Sequence, residues 1–227
     1  QWSVGGVYNR VLGLTTDLKI TPELAASWET PDPTSVVLKV QQGVKFHNVA
    51  PVNGRAMTAE DIVWSINRIT TNKPEFQRRY MFDQIDKITA TDANTVTIKL
   101  KAPFAPLFGY LANPFTVVAP KEAAEAKGDL RAVAIGTGPF VFKSGQKGVS
   151  YKWEKNPGYW EKEMPYADSY TLNVVPDAAT RLSSLRAKQL EIEVVTPDQA
   201  NTLKGDNNFT IDSVAQGNNF TIRFNTT

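Results

Sequence analysis

The N-terminal part of the chain first spaces its apolar residues as a helix does and then has the composition of a strand. Between Trp2 and Leu14 the apolar side chains recur every three or four residues, which predicts a helix packed against a core. The residues that set this spacing are Val4, Val7, Val11 and Leu14. Residues Ser35–Val40 are rich in β-branched side chains and predict a strand.

A second helix is predicted to begin after Thr58. Thr58 and Asp61 have the spacing of a capping box, in which the hydroxyl accepts from a helical amide and the acid bonds back to the cap. Apolar residues follow at helical intervals, and the helix is predicted to end before Pro74. The apolar stripe consists of Ile62, Val63, Ile66 and Ile69.

A hairpin is predicted next, with strands over Gln84–Ala90 and Thr95–Lys101 on either side of a polar turn at 91–94. Prolines then interrupt an aromatic stretch, so a subdomain boundary is expected where the hairpin ends. A short helix is predicted from Pro120 to Lys127, ended by Gly128.

The second half of the chain begins with a predicted turn at Gly136–Pro139. Strands are predicted at Phe140–Lys143 and Ser150–Lys155, joined by a glycine-rich turn, and a further strand at Tyr170–Val175. All of these segments are short and bounded by turn residues, as strands in a compact domain are.

Two helices separated by a strand are predicted towards the C-terminus. Asp177 is a suitable N-cap for a helix that runs through Lys188, and Pro197 suits the first turn of a short helix closed by Gly205. Leu190–Val195 is predicted to form the strand between them. The inner side of the first helix is predicted to carry Leu182, Leu185 and Leu190. Alternation of strands and helices indicates the α/β class.

Composition is that of an ordinary globular protein. The 227 residues are 41% hydrophobic and 21% charged, and 25 basic and 23 acidic residues leave a formal net charge of +2. Nucleic-acid binders usually carry a concentrated basic stripe, and the scattered charges here do not form one, so no nucleic-acid partner is expected. Cysteine is absent, so neither a disulfide framework nor a thiolate metal site is expected.

Candidate catalytic and metal-binding residues are few. His47 is the only histidine, and without cysteine it cannot build a structural zinc site, so we expect a structural or surface role for it and no metal or cofactor. Glu191 and Glu193 would share one face of the predicted strand, with carboxylates about 7 Å apart. That separation is compatible with glycoside hydrolysis, so a glycoside hydrolase using these two residues is one alternative, ranked last because alternating acids usually form the wet face of a strand.

Two other patterns have a structural and a binding interpretation. Gly136-Thr137-Gly138 lacks the Lys and Ser/Thr ending of a phosphate-binding loop, so a turn is the better interpretation. A group of aromatic residues could form a stacking platform for bases or sugars, but core packing and an Asn-Pro turn account for most of them. These residues are Trp153, Tyr159, Trp160, Tyr166 and Tyr170.

A spaced series of short motifs resembles the family 5 extracellular solute-binding proteins of ABC importers. The motifs are Leu24-Ala25-Ala26-Ser27-Trp28-Glu29, Gly43-Val44-Lys45-Phe46-His47, Thr58-Ala59-Glu60-Asp61, Gly136-Thr137-Gly138-Pro139-Phe140 and Asn156-Pro157-Gly158-Tyr159-Trp160. The resemblance extends from about Ile20 to Asn225.

The resemblance implies an α/β, periplasmic-binding-protein-like (type II) lobe with an inserted α+β N-terminal subdomain. Residues 1–20 would form the first part of lobe I, residues 21–102 the inserted subdomain, and residues 103–227 the remainder of lobe I. Family members are longer, so the second lobe is expected to be absent from this chain, which would end near the crossing to it. The ligand-binding candidates near the cleft mouth are Gly217, Asn218, Asn219 and Phe220.

The implied function is capture of a solute, with a peptide as the favoured ligand, in an interlobe cleft that closes about a hinge, followed by delivery to the permease subunits of an ABC transporter. An oligosaccharide or a metal chelate is the alternative ligand on the same fold. The resemblance implies no catalytic residue. It implies a periplasmic location, or an extracellular one with a lipoprotein anchor. A single lobe is expected to expose an apolar face and to self-associate.

Overall fold

The computed structural model describes residues 4–71, 78–127 and 134–213. The chain divides into two compact units, residues 1–173 and 174–227. Each unit is described by itself below.

The first unit contains a four-stranded antiparallel sheet in the order β3-β4-β6-β5. Its strands are β3 (Ala25–Asp32), β4 (Ser35–Val40), β5 (Ile85–Asp92) and β6 (Thr95–Leu100). Val36, Leu38 and Val40 alternate with more exposed residues along β4, so one face of the strand is buried. The strand predicted at Ser35–Val40 and the hairpin predicted after it are confirmed.

Helix α2 (Ala59–Thr70) lies against β5 and β6 and buries Ile62, Val63 and Ile66. Its start is fixed as predicted, since the Asp61 carboxylate accepts from the Thr58 backbone N–H at 2.9 Å. The Arg55 guanidinium binds the same carboxylate at 2.7 Å and also pairs with Glu122. Pro74, the predicted end signal, lies outside the described residues.

The helix predicted over Trp2–Leu14 is wrong beyond its first turn. The structure has a short helix α1 (Val4–Val7) followed by strand β1 (Leu12–Leu14), which pairs with β2 (Ile20–Pro22). The backbone carbonyls of Asn9, Arg10 and Val11 accept from residues distant in the chain, Val118, Leu24 and Ala25. A helix would have used those carbonyls internally, so these bonds favour the extended form.

Among its described residues the first unit also contains a 3₁₀ helix (Arg79–Phe82), two short α-helices and a three-stranded antiparallel sheet. These α-helices and strands are α3 (Leu107–Leu111), α4 (Lys121–Lys127), β7 (Phe140–Gln146), β8 (Ser150–Lys155) and β9 (Ser169–Asn173). The helix predicted at 120–127 and the two strands predicted after residue 139 are confirmed. Strand β7 is longer than the predicted strand Phe140–Lys143, because it continues to Gln146.

A single apolar cluster forms the core of the first unit. It combines the inward faces of β4, β6 and α2 with side chains from β1, α3 and α4. The largest of its fully buried residues are Phe82, Leu12, Leu24, Leu38, Ile62, Ile66, Ile98, Leu107 and Leu111. In a closely packed core of this kind, removal of even one methylene group lowers the stability of the fold.

The second unit, as far as residue 213, contains helices α5 (Ala178–Arg186) and α6 (Pro197–Leu203). Asp177 caps α5 as predicted, accepting from the Thr180 N–H at 2.7 Å. Thr196 caps α6, Pro197 occupies its first turn, and Gly205 follows it at a φ of +86°.

The strand predicted at Leu190–Val195 is wrong. Residues 190–195 form no strand, and Ile192 and Val194 are 84% and 68% exposed. The residues predicted for the inner side of the helix, Leu182, Leu185 and Leu190, are half-buried, and α5 has no fully buried residue. A β-branched composition forms a strand only where another strand pairs with it, and no ladder of the described chain includes residues 190–195.

The architecture is of mixed α and β type, with antiparallel pairing in every ladder of the described residues. The boundaries predicted at residues 20 and 102 stay predictions. Among the residues that the structure describes, none of the helices has both the length and the apolar character needed to cross a bilayer.

Candidate functional site

The predicted ligand-binding residues lie outside the described part of the chain. Gly217, Asn218, Asn219 and Phe220 all fall after residue 213. Their role therefore stays a prediction. What the structure does describe is a buried group of polar side chains at which most of the sequence motifs meet.

We call this group the polar junction. It consists of Asn9, Glu23, His47, Thr137, Gly138 and Asn156. Residues far apart in sequence meet here, since 91 positions separate His47 from Gly138 and 128 separate Asn9 from Thr137. The junction thus joins the N-terminal segment, the Lys-Phe-His motif, the Gly-Thr-Gly-Pro turn and the Asn-Pro-Gly-Tyr-Trp turn.

His47 holds the Gly136–Gly138 loop from two sides. Its backbone N–H donates to the Gly136 carbonyl at 2.8 Å, and its Nε2 lies 2.9 Å from the Gly138 carbonyl oxygen. Its Nδ1 accepts from the Gly136 N–H at 3.4 Å. Because a carbonyl can only accept, Nε2 carries the proton of the neutral ring. Of the structural and surface roles expected for His47, this arrangement fits the structural one.

The environment of His47 favours its neutral form. The side chain is fully buried, and burial lowers its pKa below the ordinary value of 6.5. The carbonyl groups of Gly138 and Ala134 act in the opposite direction and do not outweigh burial.

Asn156 ties the second turn to the same loop. Its side-chain Nδ2 donates to the Gly138 carbonyl at 3.0 Å, and its backbone N–H donates to the Pro139 carbonyl at 2.8 Å. Its Oδ1 accepts from the Gly158 N–H at 3.0 Å, which closes an Asx turn. The Gly138 carbonyl therefore accepts from both His47 and Asn156, using both of its lone pairs.

Asn9 connects the loop to an ion pair. Its Oδ1 accepts from the Thr137 hydroxyl at 3.0 Å, and its Nδ2 donates to Glu23 at 3.0 Å and to the Tyr159 oxygen at 3.3 Å. Glu23 also accepts from the backbone and the guanidinium of Arg10, both at 2.9 Å. Burial raises the pKa of Tyr159 to about 12, so its hydroxyl stays protonated at neutral pH.

The two glycines of the loop are required by close packing. A Cβ on Gly138 would lie 2.5 Å from the Val7 carbonyl carbon, and one on Gly136 would overlap the Val7 carbonyl oxygen. The N–H of Gly138 donates to that oxygen at 2.9 Å. The turn predicted from Gly-Thr-Gly-Pro is thus a point where two backbones touch.

The junction residues hydrogen-bond to one another, and this limits their chemistry. No Ser–His–acid arrangement forms around His47, because both of its ring nitrogens face backbone groups. The described residues also contain no group of three or more His, Cys, Asp or Glu side chains able to hold a metal ion. The arrangement fixes chain segments in place.

The two acids of the glycosidase hypothesis are not brought together on a strand. Glu193 accepts from the Arg181 guanidinium at 2.5 Å, and the same Arg181 donates to the Val175 carbonyl at 2.7 Å. Glu191 is exposed and lies outside any strand. Glu193 thus anchors its segment to α5 by an ion pair.

Aromatic residues form a layer on the β7-β8-β9 sheet. Trp153 is 3% exposed and stacks on Tyr170 with ring centroids 4.6 Å apart, while Phe140 meets Tyr170 edge-on at 4.8 Å. Core packing is therefore confirmed for Trp153, but Tyr166 is 83% exposed. The side-chain donors of Trp153 and Tyr170 have no partner in this layer.

Sequence reasoning identified the motifs but missed what unites them. Asn9, Arg10 and Glu23 gave no signal, since an isolated polar residue has no period that marks it as buried. Asn156 was interpreted only as part of a turn. Only one indication in the sequence pointed to a meeting of the two turns: each has a polar residue, Thr137 or Asn156, next to glycine or proline.

The family model for bacterial extracellular solute-binding proteins, family 5, middle part, matches residues 19–227. This chain belongs to that family. The resemblance drawn from its motifs is confirmed.

Relatives and solved structures of this family are similar to the chain over most of its length. The glutathione-binding protein GsiB of Pectobacterium atrosepticum is 30% identical over 87% of this chain and 38% of the relative. The binding protein AgaA of A. tumefaciens R10, solved with agropinic acid, is 28% identical, with a TM-score of 0.75 over 83% of this chain and 38% of its own. The periplasmic binding protein DppA of Helicobacter pylori, solved with the peptide STSA, is 26% identical, with a TM-score of 0.73 over 82% and 40%.

The similarity covers most of this chain but less than half of each matched protein. The chain spans about two fifths of the length of the proteins it matches, for example 38% of GsiB. The fold of this portion is that of the periplasmic binding proteins. The relatives are named as solute-binding proteins.

Proposed function

We propose that this chain is part of the extracytoplasmic binding component of an ABC importer, with a peptide as its solute. The observation that carries the proposal is the family match over residues 19–227. Its ligand class is supported by relatives named for glutathione and for di- and tripeptides, and by DppA bound to a peptide.

The proposed mechanism is closure of a cleft between two lobes. A solute that contacts both lobes only when they close favours the closed state by its differential affinity. Moving such an equilibrium from 1:99 to 99:1 requires about 5.5 kcal/mol. This chain would supply one wall of the cleft, and the closed complex would deliver the solute to the permease subunits in the membrane.

Location follows from the same proposal. A component that captures solute before import works in the periplasm, or on the cell surface with a lipid anchor. We propose no catalytic step, because the relatives are named as binding proteins and the junction contains no activated nucleophile.

A non-peptide solute is the second candidate, and one observation favours it. AgaA, which has 28% identity to this chain, was solved with agropinic acid. An oligosaccharide or a metal chelate on the same fold remains within this alternative.

A thermal-shift screen with separate ligand groups tests the proposal. Di- to pentapeptides, glutathione and oligosaccharides are added separately to the chain and to a family-length protein that contains it. A ligand at 100 times its dissociation constant adds about 2.7 kcal/mol to stability, which such a screen detects. We expect the peptide and glutathione groups to stabilise the longer protein and to act far more weakly on this chain. Stabilisation by sugars alone would reject the peptide assignment.

The chain provides a matched control for its predicted ligand loop. The tetrapeptide Asn-Asn-Phe-Thr occurs twice, at 207–210 and at 218–221. Replacing Asn218 and Asn219 by alanine should weaken peptide binding several-fold, because their amides would no longer bond the solute. The same change at Asn207 and Asn208, which are exposed, should leave binding unchanged. If both double substitutions change peptide binding equally, Asn218 and Asn219 do not belong to the binding site.

A further inference from the structure

The ring of His47 holds loop 136–138 by hydrogen bonds that depend on whether Nδ1 carries a proton. Three hydrogen bonds connect His47 to this loop, and one of them, from the Gly136 N–H to Nδ1, requires an unprotonated ring nitrogen. A second ring proton would sit on Nδ1 and point at that N–H. Two donors cannot share a bond, so protonation of the ring removes the bond from the Gly136 N–H to Nδ1.

The same loop carries bonds that hold the N-terminal segment. The Gly138 N–H donates to the Val7 carbonyl at 2.9 Å, and the Thr137 hydroxyl donates to Asn9 at 3.0 Å. Displacing the loop at Gly136 therefore strains the bonds to residues 7–9 as well. Bonds of this kind in one buried network are coupled.

We propose that His47 is a protonation-sensitive latch: uptake of a second ring proton in acid releases loop 136–138 from residues 7–9. In the released state Nδ1 becomes a donor, and the Ala134 carbonyl, which favours the protonated ring, is the nearby acceptor. The Gly136 N–H then loses its partner inside the protein and must find water.

Two tyrosines are among the other titratable groups around the latch. Tyr8, on the N-terminal segment, and Tyr159, beyond the Asn156 turn, both have pKa values raised to about 12 by burial and stay neutral. Arg10 is paired with Glu23.

On the loop that follows His47, Arg55 is paired with Asp61 and Glu122, and this pairing lowers the pKa of Glu122. Arg68, on α2, acts electrostatically on Tyr8 and stays protonated in this range. His47 is the only histidine, so it is the one side chain in this environment whose ordinary pKa of 6.5 lies inside the range.

The direction of the pH dependence follows from burial. Since the pKa of His47 is lower in the folded protein than in the unfolded chain, the unfolded chain binds the proton first as the pH falls. The stability that His47 contributes is complete above its ordinary pKa of 6.5 and is lost as the pH drops towards the folded value. Acid therefore loosens the junction.

Nuclear magnetic resonance of the chain tests the latch directly. The single histidine ring gives one unambiguous titration, followed from about pH 8 to about pH 5. We expect the Nε2–H tautomer at the upper end. We also expect the Gly136 and Gly138 amides to lose exchange protection several-fold, after correction for the pH dependence of intrinsic exchange. The pH midpoint of this loss should equal the midpoint of the ring titration.

An internal control and a variant complete the test. The Ala119 N–H donates to the Ser65 hydroxyl at 3.0 Å in another buried bond, and its protection should not follow the ring. In His47→Gln the amide can still donate to the Gly138 carbonyl but cannot titrate, so the pH step should disappear.

Two results would overturn the latch. One is unchanged protection at Gly136 and Gly138 while the ring titrates, or a ring that takes up no proton before global unfolding. The other is an identical pH step in His47→Gln. If that variant does not fold, the ring titration and the amide midpoints of the unaltered chain still decide the question.

Discussion

The two units of the chain differ in how they exclude water from apolar side chains. In residues 4–173, helix α2 and the strands around it bury side chains such as Ile66 and Ile98 completely. In residues 174–213, helix α5 buries none of its residues, and Ile192 is 84% exposed. In the described part of the second unit Leu203 is the one buried side chain, and helix caps and the Arg181–Glu193 ion pair supplement it. An apolar pattern thus stabilises a segment only where a neighbouring element covers it.

The largest expected effect compares one apolar truncation in each unit. Ile66→Ala should lower the free energy of unfolding by about 2–5 kcal/mol, because Ile66 is fully buried and its truncation leaves a cavity beneath α2. Leu185→Ala, at a half-buried position of α5, should cost about 1 kcal/mol or less. Urea denaturation followed by circular dichroism measures both. Equal losses would show that the second unit has a core as tight as the first.

A buried polar contact of the first unit should give the next largest effect. Asn156→Ala removes one of two donors to the Gly138 carbonyl and the acceptor of the Gly158 N–H, which should cost about 1–3 kcal/mol. The same substitution at Asn201, an exposed residue of α6, should change stability by less than about 0.5 kcal/mol. If Asn156→Ala costs no more stability than Asn201→Ala, the bonds of Asn156 do not hold the loop.

The smallest effect concerns the helix caps, one in each unit. Thr196→Ala removes the hydroxyl that accepts from the Gln199 N–H and should destabilise α6 by about 1 kcal/mol. We expect hydrogen exchange to speed up only at the α6 amides, since Leu203 is the only residue that this helix buries.

Thr58→Ala is the counterpart in the first unit. Helix α2 is anchored in the core, so the loss should appear as lower global stability while local exchange stays slow. A purely local response to Thr58→Ala would mean that α2 opens independently of the sheet it covers.

Sequence alone determined the elements whose signals are local. The start of α2 at the Thr58–Asp61 capping box, the hairpin after it, and α6 between Pro197 and Gly205 were all predictable. In each case a cap, a turn or a period acts over a few residues of chain. The ordered motifs also pointed to the family, which the match over residues 19–227 establishes.

Tertiary structure decided the rest, because the deciding bonds join distant residues. The carbonyls of Asn9 and Arg10 accept from Val118 and Leu24, and these bonds replace the helix that apolar spacing predicted before Leu14. Residues 190–195 have the composition of a strand but no paired neighbour in the described chain. The polar junction is the extreme case, since His47 meets Gly138 across 91 positions. No periodicity within one segment carries that information, and only the folded chain brings such donors and acceptors together.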